Sequence, residues 1–484
     1  MILFGGYYRK ECCFFMERTG LLAKFRHRYI GDKAFYRAVL TLVLPLVIQQ
    51  GITSFVNLLD NVMVGALCTE SISGVAIVNQ LIFVFNLTIF GCLSGASIYS
   101  AQYAGVNDED GIRRCFRFKL IAGAVISAAA ILLFSFYGDT LIGLYLNKDT
   151  NTAESLALTL SEAKGYLGII LWGLVPFMLT QVYGSTLRET GATVPPMKAS
   201  ILSIFVNLVL NYLLIYGKFG FPEMGVRGAA LATVIARYVE VAYLCLHVYR
   251  NTDRYPFIKR ALRSLAIPLE LVKRICVTGW PLLANEFLWS AGMAVINQCY
   301  SVRGLQVVAA TNITSTVWQL FAVVMFAMGN AIAIMVGQKL GAGDIPGARD
   351  VDRKLIFTNI VIHVFIGGLI VAFSGLIPQI YNVEQNVRDM TARMLVVAGC
   401  TLPLHCFTHA AYFTLRSGGR TMLTFLFDSV FTWLVSLPLA YVLCNLTGLD
   451  VVLIYACLQC TDLIKVAIAV PLLASGSWAR NVIA

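Results

Sequence analysis

Long uncharged stretches dominate this chain. No charged residue occurs from Ser71 to Asn107 or from Gly304 to Gln338. About 20 apolar residues suffice to cross the hydrocarbon core of a bilayer as a helix, and open irregular backbone is not tolerated there. Both stretches are longer than one crossing needs, so we expect their helices to be tilted, kinked or extended into water. The pattern predicts a helical membrane protein.

Twelve predominantly apolar crossings are predicted, six in each half of the chain. The predicted crossings are residues 38–66, 71–104, 116–138, 160–187, 197–217, 226–249, 275–301, 305–338, 355–377, 391–415, 421–444 and 451–474. The predicted divisions are a cytoplasmic segment 1–37, an N-lobe 38–250, a cytoplasmic linker 251–274, a C-lobe 275–474 and a cytoplasmic tail 475–484. The predicted fold class is therefore all-α, an integral membrane protein with two six-helix units.

The two halves repeat one set of landmark residues. At an offset of 236 residues the matches are Pro45 with Pro281, Asn61 with Asn297, Phe85 with Phe321, Phe90 with Phe326, Gln102 with Gln338, Gly105 with Gly341, Asp108 with Asp344 and Gly111 with Gly347. At an offset of 228 the matches are Thr186 to Arg188 with Thr414 to Arg416, Gly191 with Gly419 and Thr193 with Thr421. Six crossings return the chain to the same side, so the repeats are parallel. Duplication of this kind is typical of membrane transporters, whose substrate path lies between the halves.

The composition supports this class, and the charge orients it. Of 484 residues, 58% are hydrophobic and 13% charged, whereas soluble domains carry about 25% charged residues. The net charge is +11, and the loops on one side hold 28 of the 37 lysines and arginines. Basic loops mark the cytoplasmic side, so we expect both termini in the cytoplasm of a bacterial cell, with a multi-pass protein in its plasma membrane. The basic charge lies near anionic lipid and does not indicate nucleic-acid binding.

Neither the cysteine pattern nor any phosphate-binding motif indicates a cofactor. Thirteen cysteines are spread along the chain without a framework, and Cys457 and Cys460 lack further ligands at metal-binding spacing. No Walker motif is present, so ATP is not the expected energy source. We expect no metal, no cofactor and no enzymatic activity.

Several blocks of residues together resemble one family. They are Pro45, Leu59 to Gly65, the loop Gly105, Asp108 and Gly111, then Arg188, Gly191 to Thr193, Asn207, Asn211 and Gly225 to Thr233. In order, spacing and duplication they are similar to MATE (multidrug and toxic compound extrusion) transporters, over essentially all of residues 35–475. The resemblance implies two six-helix lobes arranged as a V. It also implies expulsion of small organic cations against an inward gradient of protons or sodium, and we expect a monomer in contact with lipid.

Asp60 is the first candidate for ion coupling, because ionisable groups inside a membrane are costly and usually functional. It lies 23 residues, or about 34 Å of helix, beyond Arg37, in the outer part of the first crossing. A poorly solvated carboxylate there could bind a proton reversibly or ligate sodium, and it could hold a cationic substrate instead. Its repeat position is Ile296, so the fold does not require it. The alternative is a helix-end aspartate facing water.

Three more oxygen donors could help Asp60 hold an ion. Asn207 and Asn211 lie four residues apart on the fifth crossing, and Thr233 lies on the sixth. Family members often carry an acidic residue at the second asparagine position, so Asn211 leaves the choice between H⁺ and Na⁺ open. The alternative role for the asparagines is hydrogen bonding between helices.

The candidates in the second half concern the substrate. Glu286 lies five residues after Pro281 in the seventh crossing and could face a cavity and bind a cation, or pair with a basic side chain. His405 and His409 lie four residues apart on the tenth crossing. They could be structural, contact a proton or substrate, or bind a metal, although no third ligand is evident.

Two mid-membrane cations, Arg237 and Lys465, each have an acidic residue at helical spacing, Glu240 and Asp462, which predicts structural ion pairs. Three functions then compete. The first is an antiporter that exports cationic amphipathic organic compounds, such as drugs or toxic metabolites, in exchange for H⁺ or Na⁺. The second is a lipid-linked saccharide or lipid flippase of the same superfamily, which would need more cationic residues in its cavity. The third is a membrane enzyme, for which no nucleophile or metal cluster is visible. The antiporter is the prediction.

Overall fold

The computed structural model describes residues 25–65, 69–145, 153–381 and 383–484, and describes only the backbone at 56–62, 64–65, 69–70 and 153. Helices form all the regular structure in these ranges. We number the long helices by crossing. They are α1 Lys33–Gly65, α2 Thr69–Gly105, α3 Glu109–Gly143, α4 in the two segments Ala153–Ile170 and Leu174–Glu189, α5 Val194–Tyr216, α6 Gly225–Arg250, α7 Leu269–Ser301, α8 Leu305–Gly341, α9 Ile345–Phe373, α10 Gln385–Ser417, α11 Thr421–Leu446 and α12 Val451–Ser475.

The helix lengths and hydropathy confirm the predicted all-α membrane fold. Within the described ranges, eleven helices are long and apolar enough to cross a membrane. The twelfth, α7, has 33 residues, and the polar side chains Asn285 and Glu286 interrupt its apolar stretch. It begins at Leu269, inside the predicted linker, because its first turns are an exposed charged extension anchored by buried Leu271 and Ile275.

The helices form two lobes, α1–α6 and α7–α12. The first helix of each lobe packs against the other lobe. The N-terminal part of α1 packs its buried Val39 and Val43 into a cluster with α8, α9 and α10 of the other lobe. In the matching arrangement, α7 packs along α2, where Ile275 joins a cluster with Ala96 and Tyr99. Since α1 matches α7 and α8 matches α2 in the repeat, this exchange follows the duplication.

The lobes meet tightly at the ends of α2 and α8, and we call this contact the seal. Gly105 lies against the backbone of Gln338, and Gly341 lies against the backbone of Gln102. In each case a Cβ atom would overlap the carbonyl oxygen of the facing glutamine. The two contacts exchange under the 236-residue repeat, so only glycine at both positions permits this approach.

The segment after α12 fastens the seal from both sides. The backbone N–H of Val482 donates to Gln102 Oε1 at 2.8 Å in the N-lobe. Asn481 Nδ2 donates to the carbonyl oxygen of Gly341 at 3.2 Å in the C-lobe. Trp478 anchors the segment with only 2% of its surface exposed. The predicted tail 475–484 is therefore packed against both lobes.

Candidate functional site

A chain of polar side chains joins α5 to α6 inside the N-lobe. Asn211 Nδ2 donates to Asn207 Oδ1 at 3.2 Å, and Asn207 Nδ2 donates to Thr233 Oγ1 at 3.3 Å. Both asparagines are buried, with 1% and 6% of their surface exposed. We call these three residues the amide cluster. Three of the four residues predicted for ion coupling therefore lie together, in contacts that also join the two helices.

The fourth residue of that set, Asp60, lies on helix α1, and its side chain is outside the described residues. Helix α1 packs mainly against α5 and α8, so its backbone runs beside the helix that carries Asn207 and Asn211. The participation of Asp60 stays a prediction.

A second polar chain crosses the N-lobe from Gln49, which lies nearer the N-terminus of α1 than Asp60 does. Gln49 Nε2 donates to Ser200 Oγ at 2.7 Å, and Ser200 Oγ donates to Glu240 Oε1 at 2.6 Å. Arg237 does not pair with Glu240 within 4.0 Å; its Nη1 donates to the carbonyl oxygen of Gly173 at 3.2 Å, and its guanidinium lies 5.0 Å from the ring centre of Phe177. The expected pair is absent among the described residues because both side chains reach partners on other helices.

At the positions that match this polar chain in the repeat, the C-lobe contains a different polar network. Asn285 Nδ2 donates to Asp428 Oδ2 at 3.1 Å, and Ser429 Oγ donates to Asn285 Oδ1 at 2.7 Å. Lys465 Nζ lies 3.3 Å from Asp428 Oδ1. Asp428 and Ser429 lie in a π-helical turn, Leu426–Val430, of α11. Such turns commonly mark functional sites, and this one brings two polar residues to Asn285.

His405 is fixed by its own partners. Its Nδ1 lies 2.5 Å from Asp462 Oδ2 and its Nε2 lies 2.8 Å from Gln459 Oε1. Both ring nitrogens face acceptors, an arrangement that a doubly protonated ring satisfies. The prediction that Asp462 pairs with Lys465 is wrong, because Asp462 contacts His405 on α10 and Lys465 contacts Asp428 on α11.

His409 lies between aromatic rings rather than beside a second ligand. The ring centres of Phe326 and Phe413 are 5.1 and 4.9 Å away. Within the described residues no group of histidines, cysteines and carboxylates is arranged to hold a metal ion. The contact of His405 and His409 with substrate stays a prediction.

Glu286 lies on α7 in the C-lobe, half-buried and one residue from Asn285. No basic side chain lies within 4.0 Å of its carboxylate in the described part of the chain, which disfavours the alternative of a direct ion pair. The predicted substrate residues thus lie in the C-lobe and the amide cluster in the N-lobe.

Sequence reasoning missed Gln49 and Asn285, although the repeat marks both. Each is an amide four residues after a helical proline, Pro45 or Pro281, at the 236-residue offset. It also missed the buried ion pair between Lys119 Nζ and Glu189 Oε2, at 2.6 Å. No pattern indicates that pair, because the two residues lie on different helices.

A cleft of about 710 Å³, including the part open to solvent, lies between the lobes beside the seal. It is bounded by α2 and α4 of one lobe and by α8 and α10 of the other. Arg188 and Arg416, which match in the repeat, line it from the ends of α4 and α10. The cleft therefore lies at the interface between the two repeats, towards the helix ends that form the seal.

Duplicated six-helix lobes, a polar interior and a cleft between the lobes define a secondary membrane transporter. The chain belongs to the MatE family: the family model matches residues 45–213 and 281–442, one match in each lobe. The family expected from the sequence is confirmed.

Curated relatives match over most of their length. A probable multidrug resistance protein NorM from Thermotoga maritima is 25% identical over 84% of this chain and 85% of its own. The multidrug resistance protein MdtK of Edwardsiella ictaluri is also 25% identical, over 84% of this chain and 87% of its own. The probable multidrug resistance protein YoeA of Bacillus subtilis is 26% identical, over 86% and 88%.

Solved structures share the fold. One is described as a MATE in complex with MaD3S; it superposes with a TM-score of 0.81 and 19% identity, over 93% of this chain and 98% of that one. Another, described as the outward-facing conformation of a multidrug resistance MATE family transporter of the MOP superfamily, also gives 0.81 and 19%, over 93% and 97%. The two-lobe transporter fold is therefore confirmed.

Proposed function

We propose that this protein is a secondary antiporter that exports cationic amphipathic organic compounds in exchange for H⁺ or Na⁺. The observation that carries the proposal is the amide cluster, a buried polar set in one lobe of a duplicated fold. The names of the relatives, multidrug resistance proteins, support the substrate class. The bacterial relatives also support a bacterial plasma-membrane location.

The mechanism we propose is alternating access by rocking of the two lobes. Asp60, Asn207, Asn211 and Thr233 offer one carboxylate and neutral oxygen donors for the coupling ion. If Asp60 can hold either the ion or a cationic drug, but holds both poorly, ion entry releases the drug. The proline at position 45 within α1 provides a place where the helix can bend.

In this mechanism the seal closes the transport path at one end of the protein. Basic residues concentrate at the loops near Gly105 and Gly341, and this distribution supports a cytoplasmic position for the seal and for both termini. In that orientation the cytoplasmic path is closed here. Opening it requires the glycine contacts and the bonds of Gln102 and Asn481 to separate.

The test is ethidium efflux from proteoliposomes that contain the purified wild-type protein. A proton gradient and a sodium gradient are imposed separately, and an ionophore that collapses each gradient is the control. Efflux that depends on one gradient supports the proposal and names the coupling ion. Absence of gradient-driven transport for ethidium and for other planar organic cations would overturn it.

A further inference from the structure

A short loop of the segment between the lobes is fastened to helix α3. Arg117 donates from Nε to the carbonyl oxygen of Ala261 at 2.8 Å, from Nη2 to that of Arg260 at 3.1 Å and from Nη1 to that of Ala266 at 3.2 Å. One guanidinium therefore holds both ends of the loop. We call residues 260–265 the linker tip.

The linker tip lies at the level of the membrane interface. Arg117 lies just inside the predicted third crossing, residues 116–138. Phe257 and Ile258, which precede the tip, are buried in the core of the N-lobe. A loop held by these contacts at the end of a crossing lies among the lipid headgroups, because the headgroup region borders the hydrocarbon core on each side.

The linker tip exposes basic and apolar side chains together. Leu262 and Leu265 are 55% and 52% exposed, and Arg260 and Arg263 are exposed as well. No carboxylate in the described part of the chain lies within 4.0 Å of either arginine. Apolar side chains flanked by cations suit an anionic membrane surface, because burial of the apolar groups and attraction of the cations act together.

The backbone at Arg260 supports a role for its side chain. Its φ of 60° lies in the left-handed region, which glycine adopts without strain and an arginine does not. Strained positions of this kind cluster at ligand-binding sites. An arginine at this position therefore favours a contact outside the fold.

The matching segment of the C-lobe shows that the fold does not require an exposed tip. Arg113 and Arg349 match in the repeat, and each donates to a carbonyl oxygen after the sixth helix of its lobe, that of Phe257 at 3.1 Å and that of Gly476 at 3.0 Å. The C-lobe segment then buries its apolar Trp478 in the protein. The linker instead leaves its two leucines outside, where lipid is the apolar phase that can cover them.

We propose that the linker tip binds anionic phospholipid in the leaflet on the side of the seal. Arg260 and Arg263 contact the phosphate groups, and Leu262 and Leu265 enter the start of the acyl chains. The tip lies outside the cleft and the amide cluster, so this interaction is additional to the proposed function. It anchors the segment that joins the two lobes to the membrane surface.

The test is hydrogen exchange of the full chain in lipid nanodiscs. One series contains phosphatidylcholine alone, and the other contains increasing fractions of phosphatidylglycerol. We expect phosphatidylglycerol to slow exchange of residues 260–266 severalfold, and the fraction that gives half of this slowing is the readout. Exchange of residues 113–117 should stay unchanged, which checks that α3 is intact. The readout does not involve transport, so it separates failure of this inference from failure of the proposed function.

We expect Arg263→Gln to raise the half-effective fraction of phosphatidylglycerol about fivefold, since each cation near an anionic surface contributes about that factor in affinity. The double variant Leu262→Ser and Leu265→Ser should reduce the slowing but keep the preference for phosphatidylglycerol. Arg37→Gln is the matched control, because Arg37 is an exposed arginine at the start of α1, on the same predicted side. It should leave the fraction unchanged.

Three results would overturn the inference. The first is equal exchange of the wild-type linker tip in both lipid series. The second is an equal shift in Arg263→Gln and in the Arg37→Gln control, which would mean that the overall basic charge of this side, and not the tip, attracts the lipid. The third is the same slowing by inorganic phosphate in phosphatidylcholine nanodiscs, which would show a site for small anions instead of a lipid surface.

Discussion

In the N-lobe, α5 carries Asn207 and Asn211, which bond to each other and to Thr233. At the matching positions of the C-lobe, 228 residues later, α11 carries Val435 and Leu439. The helix ends and the seal, in contrast, repeat closely between the lobes. The amide cluster is therefore not needed to form this fold, and its presence in one lobe requires a separate explanation, for which we propose ion coupling.

The two lobes also differ in the charged residues at their matching positions. The C-lobe places Asp428 and Lys465 where the N-lobe has Ser200 and Arg237, and the C-lobe pair lies at 3.3 Å. The N-lobe buries the ion pair of Lys119 and Glu189, whose counterparts in the repeat are Leu355 and Ser417. Each lobe thus holds polar residues that the other shows to be dispensable for the fold.

The largest effect on transport should come from disrupting the seal, to which both lobes contribute matching glycines. Gly341→Ala puts a methyl group onto the carbonyl oxygen of Gln102 and prevents the seal from closing. We expect efflux to fall by at least about tenfold, through loss of the closed state. Faster hydrogen exchange at residues 101–105 and 337–341 should accompany the loss.

Gly368→Ala is the control for this prediction. Gly368 lies in helix α9, and no neighbouring atom lies within 4 Å of its Cβ position. It should keep wild-type efflux. Wild-type transport and exchange rates in Gly341→Ala would show that the seal is not part of the cycle.

A second experiment copies one lobe into the other. Lys119→Leu leaves Glu189 as an uncompensated buried charge, so the free energy of unfolding should fall by about 3–5 kcal/mol. Adding Glu189→Ser reproduces the C-lobe pair of Leu355 and Ser417 and should recover most of this loss. Unfolding in mixed micelles measures both. A double variant no more stable than the single one would contradict the equivalence of the two positions.

The sequence predicted the local features of the fold, but not the contacts between side chains on different helices. The repeated landmarks Pro45 and Pro281, with the long uncharged runs, predicted the crossings, because hydropathy and helix length are local properties. The partners of Arg237 and of Asp462 were predicted wrongly. Spacing along one helix ranks neighbours on that helix, whereas Gly173 and His405 reach these side chains from other helices. The π turn around Asp428 likewise depends on packing.

Substitutions of the matching threonines, Thr233 and Thr461, should differ by a smaller effect on ion-dependent efflux. Thr233→Val removes the hydrogen-bond acceptor of Asn207 and should cost about 1 kcal/mol. If the amide cluster holds the ion, the ion concentration for half-maximal efflux should rise about fivefold. Thr461→Val, at the matching C-lobe position, is the control and should not change this concentration. Equal shifts in both variants would remove the asymmetry between the lobes.

The smallest effect concerns the repeated helix caps. Asp344 Oδ1 accepts from the backbone N–H of Gly347 at 2.9 Å, and the Lys339 ammonium beside Asp344 holds the pKa of that carboxyl below its usual value. This stabilisation is present above the unfolded pKa of about 3.9 and is lost as the pH falls through the lower folded pKa.

Thermal melting of the detergent-purified protein measures this cap. Asp344→Asn should lower the melting temperature slightly at neutral pH and lose that difference in acid. Asp108→Asn is the comparison, because Asp108 makes the same cap to Gly111 while Tyr103 stands where Lys339 does. It should have a smaller charge-dependent effect. A larger effect at Asp108 would mean that Lys339 contributes nothing.

The most direct test of coupling in the N-lobe is gradient-driven ethidium efflux for Asp60→Asn and Glu286→Gln, reconstituted at equal amounts. We predict that Asp60→Asn abolishes the dependence of efflux on the coupling gradient. Glu286→Gln should keep that dependence and raise the ethidium concentration needed for half-maximal efflux. Unchanged gradient dependence in Asp60→Asn, with its loss in Glu286→Gln, would place the coupling site in the C-lobe and contradict ion coupling through Asp60.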